Sequence, residues 1–210
     1  MYKDKLIIIG AGGHANACID VIEQTNLFEI VGLVGALEEL HSIRFGYKVL
    51  GTNSDLLEFS KIYKKAVIGV GQIHTSQPRF FLYQELVDLN FQLPIVVATI
   101  AHVSRHAVLG AGTIVMNGAV VNAGAKVGEN CIINTGAILE HDVTVGSHTH
   151  ISTGAIVNGD VKIGDCCFIG SGCIIRNGVS IGNNCLVRMG SVIKSDIESG
   201  ITFSFKHSYE

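Results

Sequence analysis

Blocks of basic residues are missing from this sequence. Lysine and arginine total 15 against 18 acidic residues, for a formal net charge of −3. Nucleic acids and anionic membranes are bound through basic patches, so neither partner is expected. Long apolar runs are missing as well. The longest, residues 6–9 and 93–100, fall far short of the ~20 apolar residues that a membrane-spanning helix needs. The N-terminus has no basic stretch followed by an apolar segment and cleavage site, so no secretory signal is expected and the cytoplasm is the default location. No CxxC pair occurs among the 6 cysteines, and Cys166 and Cys167 are adjacent. Those positions argue against both a disulfide framework and a metal site. Proline is scarce, with 2 residues against 25 glycines, while 48% of the chain is hydrophobic. That apolar content rules out a disordered chain and can build a sizeable core. A chain of 210 residues can form one large domain or two small ones.

The two halves follow different patterns. Residues 6–9 (LIII) read as a short buried strand that stops in Gly10-Ala11-Gly12-Gly13-His14-Ala15. A helical pattern follows through Ala17, Cys18, Val21 and Ile22. Further strands are expected at 30–34, 66–70 and 95–97, and helices at 56–59 and 79–89. Strands alternating with helices imply crossovers and a parallel sheet, so residues 1–95 are expected to form a Rossmann-like α/β domain.

From residue 103 the helical signal is gone. A branched aliphatic residue returns at every sixth position without insertion, from Val103 and Leu109 through Leu139 and Val145 to Val187 and Ile193. Four residues after each sits a compact one, such as Ala107, Ala137, Cys167 or Ser191, with only Ile197 larger. This is the pattern of a solenoid. Each hexad makes one short face, its aliphatic residue stacks inside on its equivalents above and below, and glycine or asparagine turns the corners. Residues 96–198 are therefore expected to wind into a parallel β-helix, with 199–210 as a tail. Cys131, Cys167, Cys173 and Cys185 fall at the compact inward position, where a thiol acts as a small hydrophobe.

The strand–GAGGHA–helix start, joined to hexapeptide repeats and to Glu140-His141-Asp142, resembles the bacterial sugar acetyltransferases. That family includes sialic-acid O-acetyltransferases and the UDP-amino-sugar N-acetyltransferases of bacillosamine synthesis. The resemblance spans about residues 5–200. It implies a left-handed β-helix with three hexads per coil, a homotrimer, and acetyl-CoA as co-substrate without a metal. Acetyl transfer needs a base for the acceptor proton, donors for the oxyanion and a common meeting place. His141 is the best base, since imidazole titrates near neutrality. It takes the third position of its hexad and so projects outward. In the family an acid at the position of Asp142 supports the histidine. Eighteen residues on, one coil up, is Gly159, which leaves space beside the ring. The resemblance assigns His150 and Gly159 to the acetyl-CoA site, Ser171 and Met189 to further CoA-lining positions, and Asn134 to the acceptor. It assigns Gly12, Gly13 and His14 to the sugar substrate.

Other readings exist. His102, His106 and His148 read as surface or interface residues. The N-terminal glycines could cradle a phosphate at a helix N-terminus, or only pack helix against strand. A dinucleotide site also wants an acid at the end of the second strand. Here Leu33-Val34-Gly35-Ala36 offers none before Glu38, so NAD is not expected. The family's UDP-sugar enzymes carry acids at that strand end, and Gly-Asn-Asn where this chain has Gly71-Gln72-Ile73-His74. Both departures argue against uridine and leave another nucleotide or a free acidic sugar. The tail Thr202-Phe203-Ser204-Phe205-Lys206-His207-Ser208-Tyr209-Glu210 also departs from the family's Gly-x-Pro-Ala-Lys-like loop, so its CoA contacts do not carry over. The leading expectation is acetyl-CoA-dependent N-acetylation of a nucleotide-linked amino sugar for a bacterial surface glycan. O-acetylation of a sialic-type acid is the alternative. More distant are a carbonic-anhydrase-type hydratase, which needs three histidines on zinc, and a non-catalytic trimeric scaffold.

Overall fold

The computed structural model describes residues 3–204; the tail beyond Ser204 lies outside them. Contacts divide the chain into two units, Met1–Gly71 with Gln77–Thr99, and Gln72–Ser76 with Ile100–Glu210.

The first unit is built on β1 (Asp4–Ile9), α1 (Gly13–Thr25), β2 (Phe28–Val34), β3 (Ile43–Arg44), β4 (Tyr47–Gly51), α2 (Leu56–Ile62), β5 (Lys65–Ile68) and α3 (Gln77–Asp88). The sheet order is β3-β4-β2-β1-β5. β1 pairs in parallel with β2 and β5, and β2 with β4. Leu6, Ile7 and Ile8 are fully buried, as a strand covered on both faces requires. Two features depart from the sequence expectation. Residues 95–97 were expected as a strand of this unit; Val96–Val97 is extended but does not join this sheet. An antiparallel pairing, β3 with β4, was not expected at all. Its strands are too short to show a period. Phe45 and Gly46 turn the hairpin with φ of 46° and 88°, the positive values that two-residue hairpin turns need.

The second unit is a left-handed parallel β-helix of three sheets. Strands two residues long pair in parallel with those 18 residues away, as Val121 with Leu139 and Leu139 with Val157. Three hexads therefore make one coil, stacked about 4.8 Å apart. The first face carries His102–Val103, Val120–Val121, Ile138–Leu139, Ile156–Val157, Ile174–Ile175 and Val192–Ile193. The second runs from Val108–Leu109 to Ser180–Ile181, and the third includes Ile132–Ile133, His150–Ile151 and Phe168–Ile169. The second residue of each strand points inward, and from Val115 to Ile193 every one is buried. Cys131, Cys167, Cys173 and Cys185 are buried, and all six cysteines are free thiols. Burial pushes the Cys167 thiol up to about 12, which keeps it inert.

The corners from Gly112 to Gly190 use left-handed backbone. One column is Gly118, Gly136, Gly154, Gly172 and Gly190; a second is Gly124, Asp142, Asp160 and Gly178; a third is Asn130, His148, Cys166 and Asn184, with φ from 54° to 77° over the three. Glycine, asparagine and aspartate tolerate this region best. The stack is laced by side chains that cap the coil below: Ser147 Oγ accepts from Glu129 N (3.1 Å), Asp165 Oδ1 from Ser147 N (2.7 Å) and Asn183 Oδ1 from Asp165 N (2.8 Å). No helix among the described residues is long and apolar enough to cross a membrane.

Candidate active site

Strand Ile138–Leu139 delivers Glu140 and then His141 to the corner where the first face ends. His141 points outward because Leu139 beside it takes the inward position. Asp142 turns the corner at φ 61°, which brings its carboxylate back toward the ring. His141 Nδ1 and Asp142 Oδ2 are 3.0 Å apart, with side chains 62% and 66% exposed. The carboxylate accepts, so Nδ1 carries the proton and Nε2 keeps its lone pair. The Asp142 hydrogen bond raises the imidazole pKa above its ordinary value, and the charges of Asp142, Glu140 and Asp160 add to it. Glu140 is itself held by Asn122 Nδ2 at 3.0 Å.

The next coil up supplies Gly159. A Cβ there would lie 2.5 Å from His141 Nε2, so the ring occupies the space a side chain would fill. Asp160 N donates to the His141 carbonyl at 3.0 Å and ties this coil to the one below. His141, Asp142 and Gly159 thus share one corner.

Asn134 and His150 are joined elsewhere in the unit. His150 is 6% exposed. Its Nδ1 lies 2.6 Å from the Gln72 carbonyl, which can only accept, so Nδ1 donates. Nε2 then accepts from Asn134 Nδ2 at 3.0 Å. Asn134 Oδ1 takes the Thr135 N–H at 2.8 Å, which fixes the amide orientation. Gln72 is buried and its Nε2 donates to the Cys167 carbonyl at 3.0 Å. Both ring nitrogens of His150 are therefore engaged within the chain. The substitution of Gln72 in the Gly71–His74 stretch was visible in the sequence, but its link to His150 was not.

Ser171 and Met189 stand on a different corner, beside Gly172 and Gly190, where the first face begins. Gly190 N donates to the Ser171 carbonyl at 2.9 Å, Ser171 Oγ bonds Ser152 Oγ at 2.9 Å, and Met189 is 76% exposed. Within one chain the width of the first face separates them from His141. In the first unit, Gly12 and Gly13 are exposed at the N-terminus of α1, with nothing near the place of a Cβ. The helix has no side-chain cap and no acid in its first turn. His14 is half-buried, its Cβ 3.3 Å from where a Gly71 Cβ would sit.

His148 is a correction. It was expected on the surface or at an interface, yet it is buried, with Nδ1 2.9 Å from Asn130 Nδ2. Both residues sit in one corner column, so each turn lies on the turn below. His102 and His106 are exposed. Among the described residues no three His, Cys, Asp or Glu side chains group to hold a metal ion.

The PglD N-terminal domain family model matches residues 5–78, and the bacterial transferase hexapeptide (six repeats) model matches residues 106–141 and 160–195. The acetyltransferase domain of PglB from Neisseria gonorrhoeae FA1090 is 30% identical, over 94% of this chain and 95% of that one, with a TM-score of 0.85. The chain belongs to the hexapeptide-repeat bacterial sugar acetyltransferases. The PglB domain has also been solved in complex with acetyl coenzyme A, 30% identical over 95% of each chain, at a TM-score of 0.86. A perosamine N-acetyltransferase variant from Caulobacter crescentus, in complex with CoA and GDP-perosamine, is 27% identical over 94% of this chain and 91% of that one, with a TM-score of 0.88. Among curated protein sequences no match is found. As a member of this family the protein is an acyltransferase acting on a sugar, with acetyl-CoA as its co-substrate.

Proposed function

We propose that this acetyltransferase N-acetylates an amino sugar carried on a nucleoside diphosphate, in the assembly of a bacterial surface glycan. The observation that carries the reading is the outward His141–Asp142 pair with Nε2 beside Gly159. Nε2 removes a proton from the sugar amine as its nitrogen attacks the thioester carbonyl. The tetrahedral oxyanion collapses, the C–S bond breaks, and His141 returns the proton to the leaving CoA thiolate. Asp142 holds the Nδ1–H tautomer and stabilises the imidazolium. Gly12, Gly13 and His14 bind the acceptor, and the uncapped N-terminus of α1 suits its phosphates. Asn134 faces the acceptor; His150, Ser171 and Met189 are assigned with Gly159 to CoA. The GDP-perosamine complex of the Caulobacter enzyme favours a nucleotide-linked amine over a free sialic-type acid, the alternative reading.

The working unit is a homotrimer on this reading. The first face presents Val120, Ile138, Ile156, Ile174 and Val192 outward, with Ile174 and Val192 42% and 41% exposed. The equivalent row on the second face is mostly polar: Val108, Lys126, Thr144, Lys162 and Ser180. His141 stands at one edge of the aliphatic face, and Ser171 and Met189 at the other. Packing copies on this face sets the edge of one beside the opposite edge of the next, and so reunites the two sets.

The test is CoA release from acetyl-CoA against nucleotide amino sugars and sialic-type acids, with product mass. His141→Ala is expected to reduce turnover by roughly 10²–10⁴-fold, the usual worth of a general base, with CoA affinity retained. Near-wild-type turnover in that variant would refute the assignment.

A further inference from the structure

The end of β2 lacks an acidic residue in sequence but not in space. Glu39 ends the short 3₁₀ turn Leu37–Glu39, and its side chain folds back. Its Oε2 accepts from Ala36 N at 3.0 Å. A Cβ on Gly35 would lie 2.9 Å from that oxygen and 3.1 Å from the Ala11 Cβ. The bare strand end at Gly35 is therefore what admits the carboxylate.

Arg44 completes the feature from the β3–β4 hairpin. Its Nε donates to the Ala11 carbonyl in the glycine loop at 3.0 Å, and its Nη2 lies 3.5 Å from Glu39 Oε1. The two side chains are 35% and 25% exposed, so the pair is neither buried core nor a free surface bridge. It stands at the carboxyl end of β2, next to the loop after β1. In the sheet order, chain connections run to β2 on one side of β1 and to β5 on the other. The crevice above such a switch point is where open parallel sheets bind ligands. A guanidinium presents five donors and a carboxylate about four acceptor sites, more than these contacts use.

We propose that Glu39 and Arg44 read the nucleoside of the acceptor, Glu39 accepting from a base N–H or ribose hydroxyl and Arg44 donating beside it. The inference rests on the nucleotide-linked acceptor proposed above.

The test is calorimetric binding of GDP, UDP, CDP and 2′-deoxy-GDP to the full chain, wild type beside Glu39→Gln and Arg44→Lys. Glu39→Gln keeps an oxygen for Ala36 N, and Arg44→Lys keeps the charge but loses the fork. Wild type is expected to bind at least one ribonucleotide and each variant to bind it about tenfold or more weakly, the worth of a charge-assisted hydrogen bond. The KM for acetyl-CoA is expected to stay within about twofold. Selectivity among bases that Glu39→Gln erases identifies the base as the donor. A preference for GDP over 2′-deoxy-GDP that Glu39→Gln erases identifies the ribose. Nucleotide binding by wild type that both variants retain within about twofold would overturn the inference alone. Failure of wild type to bind any of the four would overturn the nucleotide-linked acceptor with it.

Discussion

His141 is exposed, yet its environment is specific. The Asp142 hydrogen bond and three nearby carboxylates favour the charged imidazolium, so its pKa stands above the ordinary value. In the proposed role of general base, His141 must be neutral to act. The rate is therefore expected to rise with pH through that raised pKa and to fall below it. Asp142→Asn removes the charge while keeping a residue that tolerates φ 61°. The acid limb of kcat/KM is then expected to move to lower pH, with a lower plateau because the weaker partner no longer holds the tautomer. An acid limb unchanged in position would show that Asp142 does not set the titration. Gly159→Ala tests the space beside the ring. Its Cβ would meet Nε2 at 2.5 Å, and a displacement of about 1 Å costs on the order of 10²-fold in turnover. A steady-state kcat near wild type would mean that the ring has room to move aside.

Among the elements, the capping ladder is the clearest stabilising device. Asp165 accepts from Ser147 N, and Asn183 performs the same task one coil higher. The task needs a short side-chain oxygen, not a charge. Asp165→Asn is therefore expected to be near neutral, and Asp165→Ala to cost about 0.5–1.5 kcal/mol, the net worth of one hydrogen bond, read as a shift in denaturant midpoint. Equal losses in both variants would point to charge instead.

The solenoid was legible at this scale because its period is local. Every inward row, the outward place of His141 and the interior place of four cysteines followed from counting sixes. The β3–β4 hairpin was not legible, because strands of two and five residues show no alternation. Nor was the fold-back of Glu39, since a side chain crossing to Gly35 leaves no periodic trace. The hexad position of His148 resembles a solvated turn, and its contact with Asn130 one coil below leaves no trace in the local pattern.

For the whole molecule, the first face leaves a continuous aliphatic row, from Val120 to Val192, on the outside of a single chain. Burial of such rows stabilises by about 25 cal/mol per Å². Ile156→Lys introduces a charge at the centre of the row, and light scattering is expected to report loss of the proposed trimer together with loss of activity, while the coil fold persists by circular dichroism. A trimer that survives with wild-type mass would place assembly on another face.

What the sequence determined by itself is whatever repeats or stays local: the two-part architecture, the inward rows, the glycine loop after β1, and the outward histidine with its neighbouring acid. Tertiary structure alone decided what meets across a coil or a turn. It set Gly159 beside Nε2, joined His150 to Gln72 and Asn134, buried His148 on Asn130, and brought Glu39 and Arg44 to the bare end of β2. The reason is physical. Periodic burial is a one-dimensional constraint written in residue order, whereas hydrogen-bond partners 18 or more residues apart are chosen only once the backbone has closed.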